Sequence, residues 1–116
     1  MAIPSKKAIE ELGLLPYDVV DYLQTPEDRA GYLDVWLEES PEDTRGLSRA
    51  IGDIARAKGM TEVAAAAGLN RESLYRALSE KGNPSLATVM KVLIALGIRL
   101  RAEAVGPEDT ASPTTK

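Results

Sequence analysis

Arg71 and Arg76 stand in the run Asn70-Arg71-Glu72-Ser73-Leu74-Tyr75-Arg76, and their guanidinium groups are the side chains here best suited to recognition chemistry. A guanidinium is a planar fork of donors that can grip two acceptors at once, on a phosphate or on the O6 and N7 edge of a guanine. Around these arginines, Asn70, Glu72, Ser73 and Tyr75 supply an amide, a carboxylate and two hydroxyls. Glu72 could accept from cytosine N4, and Ser73 and Tyr75 could meet a phosphate or a thymine methyl. Each has an ordinary alternative as well. Asn70 suits a helix N-cap, Glu72 suits a first helical turn or an orienting role toward Arg76, and the arginines suit a solvated face. Thr61, Lys81 and Asn83 are candidates for phosphate contacts, which position a protein on DNA without reading sequence.

Other chemistries find little support. The 116 residues include no cysteine and no histidine, which removes thiolates, disulfides and the commonest zinc ligands and general base. No phosphate-cradling glycine loop or nucleophile elbow is present, so no enzyme, metal or cofactor is expected. No apolar run approaches the roughly 20 residues of a membrane span, and the amino terminus lacks the apolar stretch of a secretory signal. A cytoplasmic location is compatible with all of this.

A net charge of −4 runs against nucleic-acid binding until it is divided along the chain. Residues 1–44 hold three basic and eleven acidic side chains, whereas residues 45–101 hold ten basic and four acidic. Salt screens charge beyond about 8–10 Å, so a basic segment can face phosphates while an acidic one lies elsewhere.

The elements that must position these groups are mostly helices. Thr25-Pro26-Glu27-Asp28 and Ser40-Pro41-Glu42-Asp43 each place a hydroxyl, a proline and two acids in the order of a helix start, predicting helices from about 26 and 41. The first runs to about Glu39 and the second to Lys58, with Gly59 as C-cap. A short helix is expected near 17–23. Three more are expected over 62–67, 71–79 and 86–96, capped by Thr61, Asn70 and Ser85, the last with Leu86, Val89, Met90, Leu93 and Leu96 inward. From Ile98 the period changes. Ile98, Leu100, Ala102 and Ala104 alternate with Arg99, Arg101, Glu103 and Val105, as in a half-buried strand. A lone strand needs a partner, either the same segment of a second copy or a strand of another protein. The alternative is an extended segment packed on the helices. The fold class is therefore all-α with a short C-terminal β-strand. The organisation is a flexible 1–16, a helical segment 17–40, a main domain 41–97, the strand 98–105 and a disordered tail 106–116.

Met60 to Ser79 has the pattern of two helices crossing through a tight turn. Ala64 is small where the second helix must pack, Gly68 suits a left-handed turn, and Val63, Ala67, Leu69 and Leu74 face inward. Residues 60–98 resemble the phage-repressor type of helix-turn-helix. The resemblance extends over about 17–100 to addiction-module antidotes of the HigA-like "DNA-binding prophage protein" branch. It is carried by Ala55-Arg56-Ala57-Lys58-Gly59-Met60-Thr61, Gly68 through Leu78, and Gly82-Asn83-Pro84-Ser85, with Tyr17-Asp18, Tyr22-Leu23 and Asp53-Ile54-Ala55-Arg56 upstream. One departure is Ala77, where a larger branched residue is usual, so Leu78 is expected to supply the packing.

The resemblance implies a repressor of its own promoter that acts as the antitoxin of a type II pair. Its partners would be double-stranded DNA, a second copy in a homodimer, and a toxin of the RelE/ParE type resembling small basic ribonucleases. Tyr17, Tyr22, Tyr32 and Trp36 cluster in the acidic segment and are candidates for the toxin-facing surface or, alternatively, for core. Ile98, Leu100, Ala102 and Ala104 are the candidate dimer contacts. Two rival readings are a phage-type regulator without a toxin, and a helical protein-binding adaptor that does not contact DNA.

Overall fold

A computed structural model describes residues 19–79 and 82–106. Among the described residues five full helices follow one another: α1 (Pro26–Glu39), α2 (Thr44–Lys58), α3 (Met60–Ala67), α4 (Arg71–Ala77) and α5 (Leu86–Ala95). The all-α class holds. α1 packs on α2, α2 on α3, and α3 on both α4 and α5.

Local chemistry sets most helix ends. At α1 the Thr25 hydroxyl accepts from the Asp28 N–H at 3.0 Å while the Asp28 carboxylate accepts from the Thr25 N–H at 3.3 Å, a reciprocal box that satisfies two free donors. The second proline motif behaves differently from its twin. α2 begins at Thr44 rather than 41, because Asp43 is the N-cap, its carboxylate accepting from Gly46 N–H at 2.9 Å. Ser40 is used up in closing α1, its N–H bonding the Trp36 carbonyl at 2.9 Å. Thr61 is likewise not a cap: α3 starts one residue before it, after Gly59, which has a φ of 121°.

The core is built from one face of each helix. α1 buries Tyr32, Leu33 and Trp36; α2 buries Ala50, Ile51, Ile54 and Ala55; α3 buries Met60, Val63, Ala64 and Ala67. Val19 and Leu23, just before α1, are buried with them. Burying side chains of this size is the main favourable term, at roughly 1.5–3 kcal/mol for each large one. Gly46 allows a close approach of α2 to α1, since a Cβ there would overlap the Trp36 ring.

α5 keeps only part of the expected inward face. Val92, Leu93 and Leu96 are buried and Val89 half-buried, whereas Leu86 and Met90 lie at the surface with Ile94. Two apolar stripes share this helix, and hydrophobicity alone does not say which one packs.

The expected strand over 98–105 does not form. The Ile98 N–H closes α5 on the Leu93 carbonyl at 2.9 Å, and beyond it residues 99–105 have no regular structure and make no ladder bonds among the described residues. A strand requires a neighbour to exchange N–H and C=O bonds, and the described part of the chain offers none. The expectations for 1–16, for the first part of the 17–23 helix and for most of 106–116 lie outside the described residues.

Candidate nucleic-acid interface

α3 and α4 are joined by Gly68-Leu69-Asn70. Gly68 sits in the left-handed region at φ 73° and ψ 29°, where a side chain is strained. That turn lets the Leu69 N–H reach back to the Ala64 carbonyl at 2.8 Å. Asn70 then starts α4, its side-chain oxygen accepting from the Ser73 N–H at 2.7 Å. With the oxygen used in this way, the exposed Asn70 amide keeps two N–H donors for another acceptor.

α4 is short and is held by two buried leucines. Leu74 lies inside, and Leu78 supplies the packing that Ala77, half-buried, does not. α2 comes close at Gly52, where a Cβ would stand 3.3 Å from the Leu78 carbonyl oxygen. Gly82 closes behind the helix: a Cβ there would overlap the carbonyl oxygens of Arg76 and Ala77. The roll of α4 is thereby fixed, and its outer face follows from it.

On that outer face Asn70, Arg71, Glu72, Tyr75 and Arg76 are exposed and Ser73 is half-buried. The Arg71 guanidinium lies 5.8 Å from the centroid of the Tyr75 ring, within cation–π range. This pairing was not anticipated, although the one-turn spacing of Arg71 and Tyr75 was its available signal. Thr61 is exposed in the first turn of α3, and Asn83 is exposed beyond α4. Lys81 lies outside the described residues.

The aromatic residues expected at a partner surface are placed otherwise. Tyr32 and Trp36, 2 % and 1 % exposed, are core residues with rings edge to face at 6.5 Å. Tyr22 is half-buried, and Tyr17 lies outside the described residues. The acids of α1 are what solvent meets: Glu27, Asp34, Glu38 and Glu39 are all exposed. Of the candidate dimer residues, Ile98 packs partly on the core, while Leu100, Ala102 and Ala104 are exposed.

One polar group inside the molecule escaped sequence reasoning. Asp53, 2 % exposed, accepts from the Tyr32 hydroxyl at 2.8 Å and pairs with Arg56. Burial raises the Asp53 carboxyl above its ordinary range, with Tyr32 and Arg56 opposing that rise. Burial and the adjacent carboxylate raise the Tyr32 hydroxyl, which stays a donor. A charge on the inward stripe of α2, between Ile51 and Ile54, was the sequence signal.

With this geometry in place, comparison with known proteins is informative. Residues 13–104 match a family described as "Probable addiction module antidote protein". The chain belongs to that family. A Haemophilus influenzae protein with the printed name "Uncharacterized protein" is 42 % identical over 90 residues, which span 78 % of this chain and 91 % of that one. No solved structure matches. Membership in the antidote family implies a toxin as protein partner. Among the described residues of the antidote, no helix is long and apolar enough to cross a membrane.

Proposed function

We propose that this antidote is a type II antitoxin of the HigA-like, phage-repressor branch that represses its own promoter. α3 and α4 act as a helix-turn-helix, with α4 entering the major groove of operator DNA. The supporting observation is the outer face of α4: Asn70, Arg71, Glu72, Tyr75 and Arg76 are exposed on a helix whose roll is fixed by Leu74, Leu78 and Gly82. Arg71, steadied over Tyr75, reads a base edge, and Arg76 takes a base or phosphate. Asn70 donates from its free amide, while Glu72 and Ser73 make the flanking contacts. Thr61 and the N-terminal amides of α3 hold a phosphate, as do Lys81 and Asn83.

The antidote acts as a homodimer, with half-sites about 34–36 Å apart, one helical turn of DNA. Its second partner is a basic toxin of the RelE/ParE type. The exposed acids of α1 replace the buried aromatics as the proposed toxin-facing surface, by charge complementarity.

The test is a fluorescence-anisotropy titration of the duplex upstream of the antidote's own gene, with random DNA as control and salt varied. Selective binding that weakens with salt, and is lost in an Arg71→Ala/Arg76→Ala variant, supports the reading. Equal or absent binding to both duplexes, by a folded protein, overturns it in favour of a protein-binding adaptor. For the toxin surface, Asp34→Lys/Glu38→Lys should weaken neutralisation of the co-expressed toxin without unfolding the antidote. Undiminished neutralisation would move the contact away from α1.

A further inference from the structure

The C-terminal segment and the apolar groove beside it are unused by the DNA-facing surface. Residues 99–105 form no helix or turn, and their backbone groups make no hydrogen bonds to other backbone among the described residues. Leu100 is 41 % exposed, yet it also lines a groove with Leu37, Leu47, Ile51, Leu86 and Val89. Leu86, Met90 and Ile94 continue the apolar surface along α5 at one-turn intervals. An exposed apolar face that runs into an unpaired backbone edge is a surface made to be covered.

We propose that a second copy of this chain covers it, through antiparallel pairing of 99–105 with the same segment and with Ala102 on the two-fold axis. The inference rests on the homodimer part of the proposed function and specifies its register.

Charge and pattern select that register. Directly opposed residues in an antiparallel pair project to the same face. Leu100 lines the groove, and in a paired strand Ala102 and Ala104 would share its face, so the even-numbered residues of both copies would turn toward the groove. An axis that set even against odd positions would turn one copy's apolar side chains to solvent. Among the remaining registers, an axis at Arg101 sets two arginines face to face, and an axis at Glu103 sets two glutamates face to face. An axis at Leu100 opposes Arg99 to Arg101 twice. With Ala102 on the axis, Arg101 meets Glu103 of the second copy at two equivalent places, and no like charges oppose. Leu100 then lies opposite Ala104 of the second copy, so the paired segments extend one apolar face over the groove. A two-stranded ribbon is only marginally stable alone, and the groove supplies the surface it rests on.

The natural absence of cysteine makes the test direct. In full-length Ala102→Cys, the two introduced thiols meet at the axis, with Cα atoms about 4.5 or 5.5 Å apart, within disulfide reach. In Ala104→Cys the corresponding atoms are roughly 14 Å apart. Mild oxidation without DNA should convert most of the first variant, and little of the second, to covalent dimer. By sedimentation, Arg101→Glu and Glu103→Arg should each weaken the dimer at least several-fold, and the double exchange should restore it. Circular dichroism confirms folding of each variant.

Cross-linking at 104 as efficient as at 102, or no rescue by the double exchange, overturns the register while leaving a dimer in place. A monomer at all concentrations, or one that associates only with toxin, overturns pairing with a second copy. Efficient cross-linking at 102 in a protein that ignores its operator would instead remove the DNA reading and keep this one.

Discussion

The Tyr32 hydroxyl on α1 donates to the Asp53 carboxylate on α2 across 2.8 Å inside the core. Arg56, one turn along α2, pairs with the other carboxylate oxygen and is itself only partly covered. The acidic N-terminal helix is thus joined to α2, and through it to α3 and α4, by a buried polar contact as well as by apolar packing. Removing α1 would strip the core of Tyr32, Leu33 and Trp36. Surface substitutions on α1, not truncation, are therefore the informative probes of its role.

Tyr32→Phe keeps the ring and removes the donor, leaving a buried carboxylate with one partner fewer. Hydrogen bonds to charged groups contribute about 1.5–3 kcal/mol, and leaving a charged acceptor short costs at the upper end of that range. Urea denaturation should show a loss of this size with an unchanged m-value. A loss below about 0.5 kcal/mol would mean that water or Arg56 compensates the missing donor.

The same carboxylate gives stability a pH dependence. Burial raises the Asp53 pKa above its ordinary value of 3.8, so the folded chain binds this proton more tightly than the unfolded chain does. Its contribution is greatest below the unfolded value and is lost as pH rises through the folded one. The stability of the natural chain relative to Asp53→Asn should therefore fall as pH climbs from about 3 through the raised value, then stay level toward neutrality. A relative stability that rises over that interval would mean that Tyr32 and Arg56 outweigh the cost of burial.

The parts of the fold legible in the sequence were those written locally. Thr25-Pro26, Asn70 and Ser85 announced helix starts because a cap is a contact within three residues. Gly59 and Gly68 marked ends, and both adopt positive φ. Ser40-Pro41 misled because a cap motif of the same pattern can be taken up by the helix before it. Tertiary choices were less visible. α5 carries two apolar stripes, and only its docking on α3 selects Val92, Leu93 and Leu96. Tyr32 and Trp36 could have served core or partner, and the small Gly46 opposite Trp36 decided for core. The outward set on α4 was legible because Leu74 and Leu78 fix the roll. Pairing of 98–105 could not be decided within one chain, since the pattern specifies a face but supplies no partner.

Gly82 should tolerate no side chain. A Cβ would enter the space of the Arg76 and Ala77 carbonyl oxygens, both backbone atoms that cannot rotate aside. Gly82→Ala should cost about 1–3 kcal/mol, typical of overpacking, and shift the end of α4. Thermal denaturation together with operator titration checks both effects. A variant of natural stability and natural operator affinity would mean that the turn relaxes without moving the helix.

Asn70 separates capping from recognition, because two substitutions divide its duties. Asn70→Ala removes the acceptor for the Ser73 N–H and should cost about 1 kcal/mol of stability. Asn70→Asp keeps that acceptor and adds a negative charge at the positive end of α4, so stability should be held or slightly raised. The same charge removes the outward amide donors and repels phosphate. If Asn70 meets DNA as proposed, the Asp variant should bind operator at least tenfold more weakly while melting no earlier than the natural chain. If it binds as tightly as the natural chain, Asn70 is a cap only, and recognition begins at Arg71.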